Sequence, residues 1–186
     1  IMKAIMGLTP LSGGHIHIDG QPLHHQMYEK MVFIPDTLTM PAHMRIEEAM
    51  QFMEDFYTNW NPQRAMDLLS FFKLKARDRL SDLSKGNAAK VNLLLGLSLN
   101  TDYLLMDEPF SGIDVFSREQ IASAFTSHLI EDRGVIITTH EIHEIEHLTD
   151  QFVLLDQGRV VKTFDIEEVR LQEGKSVLDV MKEVYK

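Results

Sequence analysis

The chain contains no cysteine. That excludes a disulfide framework and thiolate chemistry, and it fits the cytosol. A basic excess is missing too: 18 lysines and arginines stand against 28 aspartates and glutamates, a formal charge of −10. A nucleic-acid surface needs cations to neutralise many phosphates, so no nucleic-acid partner is expected. A few lysines focused on one nucleotide remain compatible with that charge. No apolar run reaches the ~18 residues that span a bilayer, and the opening "IMKAIMG" is neither an initiator methionine nor a signal peptide. It reads as the middle of a helix. What is present is ordinary for a globular protein: 44% hydrophobic and 25% charged residues over 186 positions, room for one domain with a subdomain.

Hydrophobic periodicity divides the chain into four stretches. In residues 1–38, a helix stops at Gly7, "HIHI" at 15–18 alternates as a short strand, and "MVFIP" at 31–35 is a buried strand. Residues 39–99 change character, with helical spacing at Ile46, Ala49, Met50, Met53 and Phe56, and again at Ala65, Leu68, Leu69 and Phe72. A third helix, 87–99, carries Val91, Leu94, Leu95 and Ser98 on one side. Phe52, Phe56, Tyr57 and Trp60 are expected in the core of this helical block. From 100 to 164 strands return. "YLLMD" (103–107) and "GVIITT" (134–139) flank a helix around Ile121, Phe125 and Leu129, a βαβ spacing that predicts parallel strands covered on both faces. Two further strands surround a turn at Gln157-Gly158. Residues 165–186 form a helical tail, with capping patterns at Asp165/Glu168 and Ser176/Asp179. The expected fold is α/β, a mostly parallel sheet interrupted by an α-helical subdomain.

In such sheets, ligands collect beyond the carboxyl ends of the strands. Those ends carry Asp36, Asp107-Glu108 and His140. An acid closing an apolar strand can hold Mg²⁺, and the carboxylate beside it can orient a hydrolytic water. Ser84 and Gly86 stand where a helix begins, and a helix N-terminus favours an anion. Each piece alone is also what a solvated turn or a plain N-cap looks like.

A competing signal is His143-Glu144-Ile145-Glu146-His147, which spells the helical zinc motif H-E-x-x-H, with Glu167 or Glu168 available as a third ligand. The intervening "FVLLDQGRVVKTF" reads as two strands rather than a supporting helix, and Ile142, Ile145 and Leu148 turn the histidines toward water. Zinc is the disfavoured reading.

Taken together, "LSKGN" (83–87), "YLLMDEPFSGID" (103–114) and "VIITTH" (135–140) resemble, in order and spacing, the ATP-binding cassette family, the ATPase subunits of ABC transporters. The resemblance implies a P-loop NTPase (RecA-like) core, ATP and Mg²⁺ as ligands, a transmembrane permease and a second ATPase subunit as partners, and a place on the cytoplasmic face of the membrane. It implies that Asp107 closes the Walker B strand and helps hold the metal, with Asp36 reaching it through water. Glu108 is then the general base and His140 the switch histidine on the γ-phosphate. Asp114 becomes the D-loop residue at the dimer contact. Ser84, Gly86 and Asn87 form the signature that reads ATP held by the opposite subunit.

Three features depart from the family pattern. Lys85 and Asn87 replace a glycine and a glutamine of L-S-G-G-Q, and Asp36 stands for the Q-loop glutamine. No G-x-x-x-x-G-K-[ST] loop occurs in the 186 residues. Gly174-Lys175-Ser176 is a chance match, since the first glycine would fall on Val169. The expectation is a fragment whose first strands and phosphate loop lie upstream, and which alone binds ATP poorly. The alternative is a catalytically silent ABC-type interaction module. A soluble family ATPase acting in translation or repair is disfavoured by the lack of basic or extra domains.

Overall fold

The computed structural model describes residues 1–127 and 133–185, so the position of Leu129 in the expected helix lies outside the described residues, as does Lys186. The chain forms two compact units, Ile1–Thr139 and His140–Lys186.

The first unit is built on three parallel strands in the order β3 (Met31–Ile34), β4 (Tyr103–Asp107), β5 (Gly134–Thr138). All three were expected from their short apolar runs, and their pairing is parallel. Ile34 lies opposite Met106, and Asp107 lies opposite Thr138, so the strand tips end level. Helix α1 (Met2–Ile5) ends before Gly7, whose φ of +69° closes it. The expected strand at 15–18 shrinks to β1 (His17–Ile18), paired antiparallel with β2 (Gln21–Pro22). Met2, Met27 and Met31 pack on Leu105 on one side of the sheet.

The helical block comprises α2 (Ile46–Phe56), α3 (Pro62–Phe71) and α4 (Lys85–Leu97). Asn61 caps α3 by accepting from Arg64 N at 3.0 Å, with Pro62 at the first helical position. Trp60 is buried as expected, but Phe56 is 70% exposed and Tyr57 45%, because they lie at the end of α2 beyond its inward stripe of Ile46, Ala49 and Met53.

Helix α4 is the pivot of the unit. One apolar side was expected. In fact Val91, Leu93, Leu94, Leu95 and Leu97 are all buried, so the helix is covered all round from Leu93 onward, while Lys85 in its first turn is exposed. Gly96 explains how close it comes to the sheet: a Cβ there would lie 2.5 Å from Ile34 Cδ1. Its C-terminal carbonyls accept from two cations: Arg64 Nη1 donates to Leu97 O and Leu99 O (3.3 and 3.4 Å), and Arg133 Nη1 to Leu97 O (3.2 Å).

Helix α5 (Val115–Phe125) connects β4 to β5. Coverage of β5 falls short of the expectation. Val135 and Ile136 are exposed, because β5 is an edge of the three-stranded sheet.

In the second unit, α6 (Ile142–Ile145) is a single turn. The antiparallel hairpin β6 (Gln151–Asp156) and β7 (Arg159–Asp165) follows, as expected, with Gln157 and Gly158 both at positive φ in its turn. Asp165 caps α7 (Ile166–Glu173) by accepting from Glu168 N. A reciprocal Ser176/Asp179 box opens α8 (Val177–Val184).

Candidate functional site

The three strand tips of the first unit are where the sequence placed chemistry. Asp107 ends β4 half-buried, and Thr138 Oγ1, opposite it on β5, donates to Asp107 Oδ1 at 2.6 Å. Thr138 had no role in the sequence reading. Its signal was a polar β-branched residue at a strand end, legible once the register is known. Glu108 follows in the left-handed region, φ +49°, which a side-chain-bearing residue adopts only at a cost of about 1–3 kcal/mol. Two backbone bonds hold it there: Glu108 N donates to Thr138 O (2.8 Å), and Ser111 N donates to Glu108 O (3.1 Å).

A cleft of about 320 Å³ opens beside these tips, lined by Asp36, Glu108, Ser111, Lys85 and Asn92 among others. Asp36 and Glu108 are thus brought to one space by β3 and β4, and Lys85 faces them from the first turn of α4. Asn92, two turns further, donates through Nδ2 to Pro35 O at 2.6 Å, tying α4 to the end of β3. No group of three or more His, Cys, Asp or Glu side chains is placed to hold a metal among the described residues. Asp107 at the end of β4 and Asp36 just past β3 offer carboxylate oxygens, a donor of which Mg²⁺ takes one or two alongside phosphate and water.

The signature residues do not share one surface. Ser84 caps α4, accepting from Asn87 N at 3.2 Å, and lines a second cleft together with Asn87. Gly86 faces inward instead: a Cβ there would lie 2.3 Å from Ser117 Oγ and 2.9 Å from Asp114 Oδ2. Asp114 caps α5, accepting from Ser117 N (3.0 Å) and Ser117 Oγ (2.8 Å). These bonds from Ser117, with a smaller pull from the nearby Lys90 ammonium, hold the Asp114 carboxyl below its usual range. Lys90, one turn beyond Gly86, is 6% exposed; burial lowers its pKa, and Asp114 partly opposes that. Sequence reasoning had assigned Gly86 to phosphate approach and had no role for Lys85 beyond a departure. The helix separates them by period: 85, 88 and 92 on the first cleft, 84 and 87 on the second, 86 and 90 toward α5.

His140 opens the second unit, two residues past β5. It is exposed, with Nε2 3.9 Å from Glu141 Oε1. The zinc motif does not assemble. Helix α6 ends at Ile145, so His147 falls outside it, and the i, i+4 pairing of His143 with His147 on one helix is lost. Glu146 is engaged otherwise, accepting from Arg170 Nη2 (3.0 Å) and Val177 N (3.3 Å).

Comparison with known proteins now decides the family. The family model described as "ABC transporter" matches residues 1–111. The chain belongs to the ABC transporter family. It is 32% identical over 181 residues to a taurine import ATP-binding protein of Rhizobium johnstonii, a match covering 91% of this chain and 68% of that protein. It is 22% identical to an uncharacterized ABC transporter ATP-binding protein of Bacillus subtilis, with 93% of this chain and 60% of the relative covered. The chain thus spans about three fifths of that relative's length. A solved ATP-binding subunit of an ABC transporter superposes with a TM-score of 0.84 at 24% identity, covering all of this chain and 82% of the other, which establishes the fold. The expected ABC-type α/β core with an inserted helical block is therefore borne out. Among the described residues, no helix is long and apolar enough to cross a membrane.

Proposed function

We propose that this ABC-family chain contributes the hydrolytic elements of an ATPase that powers a membrane permease. The observation that carries the reading is the level strand-tip register, which sets Asp107, anchored by Thr138, next to Glu108, and Glu108 lines the cleft. Phosphoryl transfer to water asks a protein mainly for positioning and charge neutralisation. In this reading Glu108 accepts a proton from water as its oxygen bonds to the γ-phosphorus. The bond from that phosphorus to the bridging oxygen breaks, and ADP leaves. Asp107, with Asp36 through water, would hold Mg²⁺, which supplies neutralising charge to the phosphates. His140 hydrogen-bonds the γ-phosphate. Ser84, Gly86 and Asn87 serve a nucleotide held by a second ATPase subunit, with Asp114 at the contact between the two. The exposed Phe56 and Tyr57 offer apolar surface to a permease at the cytoplasmic face of the membrane.

The test is ATP turnover by the protein assembled with its permease. Glu108→Gln keeps the size of the side chain and removes the base, so turnover should drop by about 10²–10⁴-fold, with nucleotide binding retained. Unchanged turnover in the variant overturns the assignment. A wild-type assembly that never hydrolyses ATP identifies a silent module instead.

A further inference from the structure

Helix α4 is rich in leucine, and between Val91 and Leu97 it carries a single polar side chain, Asn92. A carboxamide among buried neighbours is costly unless it is hydrogen-bonded. Asn92 finds its partner outside the helix: Nδ2 reaches across a separation of 57 residues and donates to Pro35 O at 2.6 Å. The acceptor also fixes which way the amide points, since the carboxamide oxygen has no proton to offer a carbonyl.

Pro35 stands one step beyond β3, whose pairing with β4 runs as far as Ile34 opposite Met106. Its ring holds φ near about −65°, so its remaining backbone freedom is the rotation that carries the next peptide unit. That unit is planar, and the oxygen gripped by Asn92 lies in it together with Asp36 N and Cα. One hydrogen bond to Pro35 therefore orients the residue that follows. Gly96, one turn further along α4, keeps the helix seated on the same strand, since a Cβ there would lie 2.5 Å from Ile34 Cδ1.

The consequence falls on Asp36. It is exposed and, among the described residues, its side chain makes no hydrogen bond or ion pair of its own. The backbone therefore decides where this carboxylate stands. Asn92, Asp36 and Glu108 line one cleft. We propose that Asn92 is a positioning residue, which holds the Asp36 carboxylate at the rim of that cleft by gripping the Pro35–Asp36 peptide. The use of the carboxylate toward Mg²⁺ rests on the ATPase reading; the anchor itself does not.

Two measurements test it. The Asp36 amide lies in the peptide that Asn92 grips, so its backbone order parameter, from NMR relaxation of the 186-residue chain, reads the anchor directly. Alanine favours a helix, so Asn92→Ala should keep α4. The order parameter of Asp36 should be about 0.85 in the wild type and below about 0.6 in Asn92→Ala, with β4 rigid in both. Equal values in the two proteins overturn the anchor. So does a variant in which β4 loosens as much as Asp36, because that is general unfolding. In the permease assembly, the Mg²⁺ concentration for half-maximal ATP turnover should rise about tenfold or more in Asn92→Ala, while turnover at saturating Mg²⁺ falls far less. Asp36→Asn should give a similar rise, and adding Asn92→Ala to it should give no more, as expected when both act through one carboxylate. An unchanged Mg²⁺ requirement in Asn92→Ala, or additive effects in the double variant, overturns the positioning role toward the metal. A wild-type assembly that never hydrolyses ATP sinks the ATPase reading instead, and a loosened Asp36 in Asn92→Ala then still supports the anchor.

Discussion

Two clefts flank the first turn of α4 and differ in sign. One is walled by Asp36 and Glu108 with Lys85 opposite; the other is walled by Arg45, Arg77 and Arg79, with Asp78 and Asp82 among them. Residues adjacent in sequence, Ser84 and Lys85, serve opposite spaces because a helix turns each successive side chain by about 100°. A short motif on a helix start is therefore not one site. It is a divider whose three faces meet carboxylates, guanidinium groups and the cap of α5.

The strongest way to break this comparison is to move the divider. Gly86→Ala puts a methyl group 2.3 Å from Ser117 Oγ, so α4 must shift away from α5 and disturb both clefts together. Overpacking of that kind costs about 1–3 kcal/mol, and chemical denaturation should read it. A variant as stable as wild type would mean that α4 is not held against Asp114 and Ser117.

A smaller, one-sided change is Ser84→Ala. It removes the cap of α4 and should cost about 1 kcal/mol, while the carboxylate cleft keeps its residues in place. Stability equal to wild type would show that the Ser84–Asn87 bond contributes nothing in solution.

The finest test concerns pH. Asp114 has a lowered pKa in the folded chain, chiefly because Ser117 donates to its carboxylate. Its contribution is therefore fully present above the unfolded carboxyl value, near 3.9, and fades as pH falls through the lower folded value. Ser117→Ala should lower stability near neutrality, and that loss should shrink as pH falls, so the acid limb becomes flatter. An acid limb identical to wild type counts against the bond.

The sheet was legible because each strand is a short apolar run ended by an acid, a proline or a histidine, and the helical block because two of its helices keep a clean apolar stripe. Helix α4 was legible in extent but not in burial, since an amphipathic template assumes a wet side and α4 has none from Leu93 onward. The candidate carboxylates could be named from their places at strand ends. Lys85, Thr138 and the arginine cleft could not, because they depend on register and on pairing between segments more than thirty residues apart. Phe56 and Tyr57 were misplaced for a related reason: aromatic character promises burial, but the end of α2 carries them past the core.

The backbone at Glu108 has a consequence for laboratory evolution. Glycine fits a φ of +49° without the penalty that a Cβ brings, so Glu108→Gly should raise the melting temperature while deleting the proposed base. A library sorted for heat resistance alone would drift toward glycine at this position, and its best survivors would be the poorest catalysts. Sorting for turnover would push the same codon back.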